Sequence, residues 1–466
     1  MCGIAGILNL DGGPVSNRIL KMMTDSISHR GPDGEGFFID SFIGLGHRRL
    51  SIIDLTDAGK QPMESSDGRF IISYNGEVYN FLELRKELEK LNYVFKSDTD
   101  SEVVLYSWSA WGEKCVKKFN GMFAFSIWDK KDKTLYLVRD RYGIKPLYYA
   151  SFQNTFLFGS EQKAILQHPL SEKIIDKKGL LEYFTFQNIF TNKTLLKNVN
   201  LLQPASIGKI KFGKHTKLEI SQYWDYNFRE PDGKVVEQEY IEELDRLLKQ
   251  SVQRHLVSDV SLGSYLSGGM DSGTIVALAS RELPNIKTFT CGFDLSSASG
   301  IELAFDERQK AEALSALYKS EHYEMVLKSG DMQRCLSTLA YHLEEPRVGQ
   351  SYPNFYASKL ASNFVKVVLS GTGGDELFGG YPWRYYRATV NTDFEDYIDK
   401  YYLYWQRLIN NTEIREVFEP IWADVDGLRT RDIFSDVFSS YNNDLNSPED
   451  FINHSLYFEA KTFLHG

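Results

Sequence analysis

Cysteine is scarce in this sequence. Cys2, Cys115, Cys291 and Cys335 are the only four in 466 residues, and no two of them stand in a C-x-x-C pair. That excludes a disulfide scaffold. In a chain of this length it fits a reducing compartment, so the expected location is the cytoplasm. No apolar run approaches the roughly 18 residues that a membrane-spanning helix needs. The N-terminus has no basic stretch leading into an apolar one and does not read as a signal peptide. Positive charge is in deficit: 53 Lys and Arg face 63 Asp and Glu, for a formal net charge of −10. That balance argues against a broad nucleic-acid surface or an anionic membrane surface, though not against a local basic pocket. Internal repeats and low-complexity segments are missing too. Core material is what the chain has in quantity. It is 42% hydrophobic, with 27 Tyr and 30 Phe, enough for roughly two to four ordinary domains.

The patterning changes partway along. In the first stretch, Cys2 to Leu8, Phe70 to Tyr74, Met122 to Trp128, Leu135 to Arg139 and Thr155 to Phe158 read as strands bounded by turn residues. Phe81 to Leu91 and Glu102 to Trp111 have helical spacing. This predicts an α+β or layered β domain over residues 2–212. A polar stretch containing Glu230-Pro231-Asp232-Gly233 marks a linker, taken as 213–237. From 238 onward strands and helices alternate. Helix Glu239 to Leu256, strand Val260 to Leu266, helix Thr274 to Leu283, strand Thr288 to Phe293, helix Asp306 to Tyr318 with Asp306 as N-cap, and strand Val365 to Leu369 follow in turn. That order predicts an α/β domain with a parallel sheet over 238–466, ending in an aromatic helical tail.

Two constellations carry chemistry. The first begins at Cys2. Removal of Met1 would leave a free α-amino group beside the thiol, and a neutral amine there can serve as its general base. Asn75 and Gly76, at the end of the Phe70 to Tyr74 run, suit an oxyanion hole. Arg49 suits a carboxylate clamp, and Asp98 or Asp100 suits an α-ammonium. Singly, each of these reads equally as a buried small residue, a surface charge or a cap. In order along the chain, however, Cys2-Gly3-Ile4-Ala5-Gly6, His29-Arg30-Gly31-Pro32-Asp33-Gly34, Arg49-Leu50-Ser51-Ile52, Asn75-Gly76-Glu77-Val78-Tyr79-Asn80, Gly121-Met122-Phe123-Ala124-Phe125 and the run from Arg139 to Tyr149 resemble the class II glutamine amidotransferases. The resemblance implies an N-terminal nucleophile (αββα) fold. Cys2 would be the nucleophile, with Asn75 and Gly76 on the oxyanion. Arg49, Leu50, Ser51, Ile52, Ile53, Asn75, Gly76, Glu77 and Asp100 would bind glutamine. Asp100 is preferred over Asp98 because Asp100-Ser101-Glu102 matches the family frame.

The second constellation is Leu266-Ser267-Gly268-Gly269-Met270-Asp271-Ser272, between a predicted strand and a predicted helix. Small residues let backbone N–H groups approach phosphates at a helix N-terminus. No lysine stands at the Walker position, so this is not an ordinary P-loop. A second loop, Ser370-Gly371-Thr372-Gly373-Gly374-Asp375, follows another strand, and Asp271 and Asp375 together suit Mg²⁺. Cys291 would line the adenine site. The pair of loops resembles the ATP pyrophosphatase domain of asparagine synthetase and its relatives. That implies ATP binding at Leu266, Ser267, Gly268, Gly269, Asp271, Ser272, Cys291, Ser370 and Gly371, and ammonia passed along a tunnel to an adenylated carboxylate. Expected partners are glutamine, ATP and aspartate, plus a second copy of the chain as a homodimer. Two departures stand out: Thr372 replaces a glutamate frequent in that family, with Glu344 or Glu345 as a substitute, and a lysine-bearing C-terminal segment is missing. Without that lysine the chain is expected to bind ATP but adenylate poorly, unless Lys359 or Lys366 supplies the charge. Tyr401, Tyr402 and Trp405 are expected on incompletely covered surface.

Overall fold

Among the described residues, twelve strands in the first half of the chain form two antiparallel sheets. They are β1 (Gly3–Asn9), β2 (Gly34–Asp40), β3 (Ile43–Arg49), β4 (Met63–Glu64), β5 (Phe70–Val78), β6 (Gly121–Asp129), β7 (Thr134–Arg139), β8 (Tyr148–Phe152), β9 (Thr155–Gly159), β10 (Val199–Leu201), β11 (Ser206–Lys211) and β12 (Glu219–Gln222). One sheet runs β10-β8-β9-β1-β3-β2 and the other β12-β11-β7-β6-β5-β4. This computed structural model describes every residue except 214–216, 232, 234–235, 297–305, 347–350, 386–389, 442–444, 446 and 465–466. Asp232 of the expected turn and the terminal His465 and Gly466 therefore lie outside the described residues. The chain divides into two compact units, Met1–Phe228 with Trp383–Gly466, and Arg229–Pro382.

Strand alternation dictates the layering of the first unit. On β1, Ile4 and Leu8 join Ile71 of β5 and Trp128 of β6 in a core between the sheets. Ala5 and Ile7 point the other way, onto Leu20 and Met23 of helix α1 (Asn17–Asp25) and onto Ala164 and Ile165 of helix α4 (Gln162–Ile165). On β5, Ile72 and Tyr74 pack outward against Leu84 of helix α2 (Phe81–Lys90) and Val104 of helix α3 (Asp100–Trp111). The result is the αββα sandwich expected from the sequence. By the same alternation, Ser73, Asn75 and Glu77 share the inner face with Ile71, and the Ser73 hydroxyl donates to the Gly46 carbonyl of β3 at 3.2 Å.

Two boundaries differ from the sequence reading. Sheet pairing continues into the expected linker, where β12 pairs with β11. Beyond it the Tyr223 hydroxyl donates to the Arg139 carbonyl at 2.9 Å, and Tyr226 is buried. The aromatic tail, assigned to the second domain by sequence, groups with the first unit. Tyr401, Tyr402 and Trp405 do not lie on open surface as expected; they are 2%, 6% and 1% exposed. Phe186, the last residue of helix α5 (Lys177–Phe186), and Phe190, just beyond it, cover Tyr402 and Phe458, and Phe463 stacks on Trp405 at 4.1 Å. The sequence could not show that α5 supplies the cover.

The second unit is a parallel sheet in the order β15-β14-β13-β16, from β13 (Leu262–Tyr265), β14 (Lys287–Phe293), β15 (Glu321–Leu327) and β16 (Val367–Leu369). Tyr265 and Val368 pack to one side with Phe289, Leu360 and Ala361. The adjacent Leu266 and Leu369 pack to the other, against helices α6 (Glu237–His255), α7 (Met270–Glu282) and α8 (Arg308–Tyr318). Asp306 lies ahead of α8 rather than in it, and its carboxylate caps the Arg308 and Phe293 N–H groups at 3.1 and 3.0 Å. Strand β15 has no counterpart in the sequence reading, because Glu321 to Glu324 alternate polar and aromatic residues without an apolar run.

The tail's aromatic core generates a stability prediction. Trp405→Ala should destabilise the protein by ~3–5 kcal/mol, the usual loss for a buried ring. Leu403→Ala, on the same helix but 66% exposed, should change it by less than ~0.5 kcal/mol. Urea unfolding followed by circular dichroism gives both values, and equal effects would contradict the packing.

Candidate active site

Cys2 stands immediately before β1, in phase with Ile4 and Leu8. Its thiol lies against the Leu50 backbone: the Leu50 N–H donates to Sγ at 3.3 Å and Sγ approaches the Leu50 carbonyl at 3.7 Å. Leu50 is placed there because β3 pairs with both β1 and β2, and because Ser51 N–H is held by Asp33 Oδ2 at 2.8 Å. Ile52 and Ile53 continue the loop half-buried, with Ile53 against the outer core. The Cys2 carbonyl accepts from Arg30 Nε at 2.9 Å. Arg30 in turn is anchored on Glu161, which also receives His29 and Lys163. Burial would raise the Glu161 pKa, but His29, Arg30 and Lys163 hold it far below the usual range.

Burial raises the Cys2 thiol pKa, opposed by the Leu50 N–H, the N-terminal amine and Arg30. The α-amine of Met1 is pulled down to about 5, first by burial and then by the Arg30 and Lys145 cations, against the pull of Cys2 and Asp33.

Asn75 is 1% exposed, and neither its Nδ2 nor its Oδ1 has a hydrogen-bond partner among the described residues. Buried amides left unpaired are rare in native proteins. Two features hold it in place. His47 of β3, whose Nε2 lies 3.0 Å from the Tyr74 carbonyl, fixes the peptide just before it. Burial drives the His47 pKa down to about 4, so the ring is neutral, and the carbonyl makes Nε2 the donor. At the next position a side chain is impossible: a Cβ on Gly76 would stand 2.5 Å from the Met122 carbonyl oxygen and 2.7 Å from Phe123 Cα. Glycine lets β5 and β6 run at this close approach.

Glu77 follows on the inner face, with Oε1 buried and unpaired. Burial and the Asp100 charge raise its pKa well above the carboxylate range, against Lys145. Asp100 opens α3, where Thr99 caps the helix. Its Oδ2 accepts from the Tyr74 hydroxyl at 2.5 Å and from Val78 N–H at 2.9 Å. Burial raises its pKa to about 6 despite those bonds. The two candidate aspartates are separated clearly, since the Asp98 side chain is 85% exposed and paired with Arg85. Arg49 is buried, but its guanidinium donates to the Thr56 carbonyl at 2.7 Å and to the Asp54 carbonyl. It braces the 50–58 loop, and only its remaining N–H groups are left for a ligand. Arg30, Asp33, His47, Tyr74 and Lys145 were given no role from sequence; each sits inside or beside a quoted motif, and only the motif, not the residue, carried a signal.

In the second unit both glycine loops leave the carboxyl ends of adjacent strands, β13 and β16, where the sheet order reverses. Ligands bind at such switch points. Gly268 has φ +93°, and a Cβ there would meet Lys310 Cβ at 2.4 Å. Ser267 N–H and Oγ bond Ser272 Oγ at 3.2 and 3.0 Å, and Gly269 N–H bonds Ser267 Oγ at 3.2 Å. Leu266 is buried and accepts from Thr290. The loops touch: Cβ atoms on Gly371 and Gly374 would lie 2.9 Å from Asp271 Cβ and 2.6 Å from Asp271 Oδ1. Burial and the neighbouring Asp375 raise the Asp271 pKa, an arrangement that a cation would relieve. Thr372 Oγ1 is 2.8 Å from Ser370 Oγ. Cys291 lies on β14, its thiol pushed up to about 12 by burial. Glu344, at φ +63°, closes the helix Asp331–Leu343. Lys359 lies in the last turn of the helix Ser351–Ala361, and Lys366 precedes β16.

A pH-dependent stability difference follows from Asp100. A carboxyl whose folded pKa of about 6 stands above its ordinary 3.8 favours the folded state in its protonated form. That contribution is whole below about pH 4 and is lost as pH rises through about 6. Asp100→Asn, whose Oδ1 can accept the same two bonds, should therefore be more stable than the wild type by ~1–3 kcal/mol at pH 8. The gap should close toward pH 4 in urea unfolding. A variant less stable at pH 8 would contradict the assigned burial penalty.

Comparison with known proteins matches both halves. A glutamine amidotransferase domain matches residues 1–224, and an asparagine synthase domain matches residues 243–466. Asparagine synthetase [glutamine-hydrolyzing] 1 of Bacillus subtilis is 37% identical over 387 residues, covering 82% of this chain and 59% of that protein. A putative asparagine synthetase [glutamine-hydrolyzing] 2 of Methanocaldococcus jannaschii is also 37% identical, with 82% and 76% covered. Asparagine synthetase [glutamine-hydrolyzing] 3 of B. subtilis is 32% identical, with 89% and 69% covered. The chain thus spans between 59% and 76% of the length of these three relatives. With an amidotransferase sandwich in front and a synthase-type parallel sheet behind, matched in that order, the chain belongs to the glutamine-hydrolysing asparagine synthetase family.

Proposed function

We propose that the protein makes an amide bond, using glutamine as nitrogen donor and ATP as the driving force, with aspartate as the acceptor. The observation that carries the first half is the buried, unpartnered amide of Asn75, on the inner face of β5 and beside a close approach only glycine permits. In this reading Met1 is removed. The Cys2 thiol attacks the glutamine δ-carbonyl carbon and passes its proton to its own α-amine. Asn75 Nδ2 and Gly76 N–H receive the oxyanion. The tetrahedral intermediate collapses as the carbon–nitrogen bond breaks, the amine returns the proton to the leaving nitrogen, and ammonia departs. Water then hydrolyses the thioester, giving glutamate. Glu77 and Asp100 hold the substrate α-ammonium, and Arg49 with the 50–53 loop holds its carboxylate.

In the second unit, the loops at Ser267 and Ser370 hold ATP, with Cys291 beside the base. Asp271 and Asp375 would hold Mg²⁺, which supplies charge neutralisation at the pyrophosphate oxygens. An oxygen of the acceptor carboxylate attacks the α-phosphate, pyrophosphate leaves, and ammonia then displaces AMP from the acyl carbon. The cytoplasm and a homodimer are the setting consistent with this chemistry. A second reading, another carboxylate as acceptor, draws support from Thr372, whose hydroxyl is engaged by Ser370 where a carboxylate is frequent in the family.

Cys2→Ala should abolish glutamine hydrolysis while leaving ATP binding within a factor of about 2, since Cys2 and Asp271 lie in different units. Asp271→Asn and Asp375→Asn should each weaken Mg·ATP binding about 10-fold or more, with hydrolysis of glutamine retained. Calorimetry and a glutamate assay read these out. Near wild-type hydrolysis by Cys2→Ala, or unchanged nucleotide affinity in both aspartate variants, would refute the corresponding half.

A further inference from the structure

Lys145 is 4% exposed, yet the fold does little to satisfy its charge. Its backbone is pinned: the N–H donates to Asp140 Oδ2 at 3.0 Å, and the carbonyl accepts from Arg139 Nε at 2.9 Å. Asp140 is itself buried and gathers Phe123, Tyr142 and Ile144 N–H groups as well, so the Asp140 to Lys145 turn is fixed around one carboxylate. From this rigid base the side chain runs to the chain start. The only hydrogen-bond partner of its ammonium among the described residues is Met1 Sδ, at 2.9 Å. A thioether is a weak acceptor, and in the proposed mature chain it is gone.

The charged groups around this ammonium come from several elements. They are the Met1 amine and Cys2 ahead of β1, Arg30 from the turn Ser28–Arg30, Glu77 on β5 and Asp140 after β7. Cys2 also feels Asp100 at the start of α3, and the amine feels Asp33. The thiol therefore feels the Asp100 carboxylate, which disfavours its ionisation, and two buried cations, Arg30 and Lys145, which favour it. Arg30 is committed to the Cys2 carbonyl and Glu161. Lys145 is the cation with no acidic hydrogen-bond partner of its own.

We propose that Lys145 is a positioning cation of the glutaminase site: once Met1 is removed, its ammonium is left beside the nucleophile, where it favours the Cys2 thiolate. This rests on the reading of Cys2 as the nucleophile. Lys145 takes no proton and forms no bond; it acts through Cys2, which does. Burial lowers its own pKa to about 8, so the ammonium is the main form at neutral pH.

The test uses the full chain with Met1 removed, verified by intact mass. The rate of Cys2 alkylation by iodoacetamide is followed against pH by mass spectrometry of the N-terminal peptide. In Lys145→Met the midpoint should rise by about one unit or more, the usual effect of losing a nearby opposite charge. The acid limb of kcat/KM for glutamine hydrolysis should move up with it. Lys145→Arg should titrate like the wild type. Lys145→Gln serves the same purpose should the methionine variant fail to fold. Neutral variants with a wild-type alkylation midpoint would overturn the inference while leaving the nucleophile in place. Retention of hydrolysis after complete Cys2 alkylation would instead overturn the nucleophile reading itself.

Discussion

The first unit depends on polar groups buried without partners at the end of β5. Asn75 presents both amide atoms, and Glu77 one carboxylate oxygen, to an interior that offers them nothing. Each such group costs about 1–3 kcal/mol. The surrounding structure is arranged to bear that cost. The cores on both sides of the two sheets are densely aromatic and aliphatic, His47 bonds the Tyr74 carbonyl, and the glycine at 76 draws β6 in. A substrate amide and ammonium placed there would satisfy what the fold leaves open. The same logic explains the tension at Asp100, which keeps two donors and still has its pKa raised to about 6. Preorganised sites are destabilised in just this way before the ligand arrives.

In the second unit the constraint is steric rather than electrostatic. Two loops leave adjacent parallel strands and meet so closely that side chains at 371 or 374 would collide with Asp271. Serine hydroxyls tie the first loop to its own helix. Small residues, a helix N-terminus and a pair of aspartates thus stand where a lysine-bearing phosphate loop would otherwise be used. The chemistry proposed for the unit is phosphate binding by backbone and cation, without a lysine within the loop.

Much of this was legible in the chain. Long alternating apolar runs gave β5, β6, β7 and β9 within a few residues, because each buries one or both faces. Ordered motifs singled out Cys2, Asn75 and Gly76 as candidates, and Asp271 and Asp375 likewise. What escaped has physical causes. Strand β3 reads as Ile43-Gly44-Leu45-Gly46-His47-Arg48-Arg49, too polar and glycine-rich to look like a strand, yet it pairs with both β1 and β2. The burial of His47, the bracing role of Arg49 and the Glu161 hub arise from contacts between residues far apart in sequence, which no local pattern encodes. The tail misled for the same reason: its aromatic residues announced a core, but not that α5 would complete it.

The central claim is that the chain start is a catalytic nucleophile set opposite an unpaired amide. A diazoketone analogue of glutamine, which alkylates the thiol that attacks its carbonyl, tests this directly. Peptide mass spectrometry of the labelled full-length chain should find a single adduct, on Cys2, in molecules that begin with Cys2, and excess glutamine should prevent it. Adducts on Cys115, Cys291 or Cys335, or labelling of chains that retain Met1, would contradict the account.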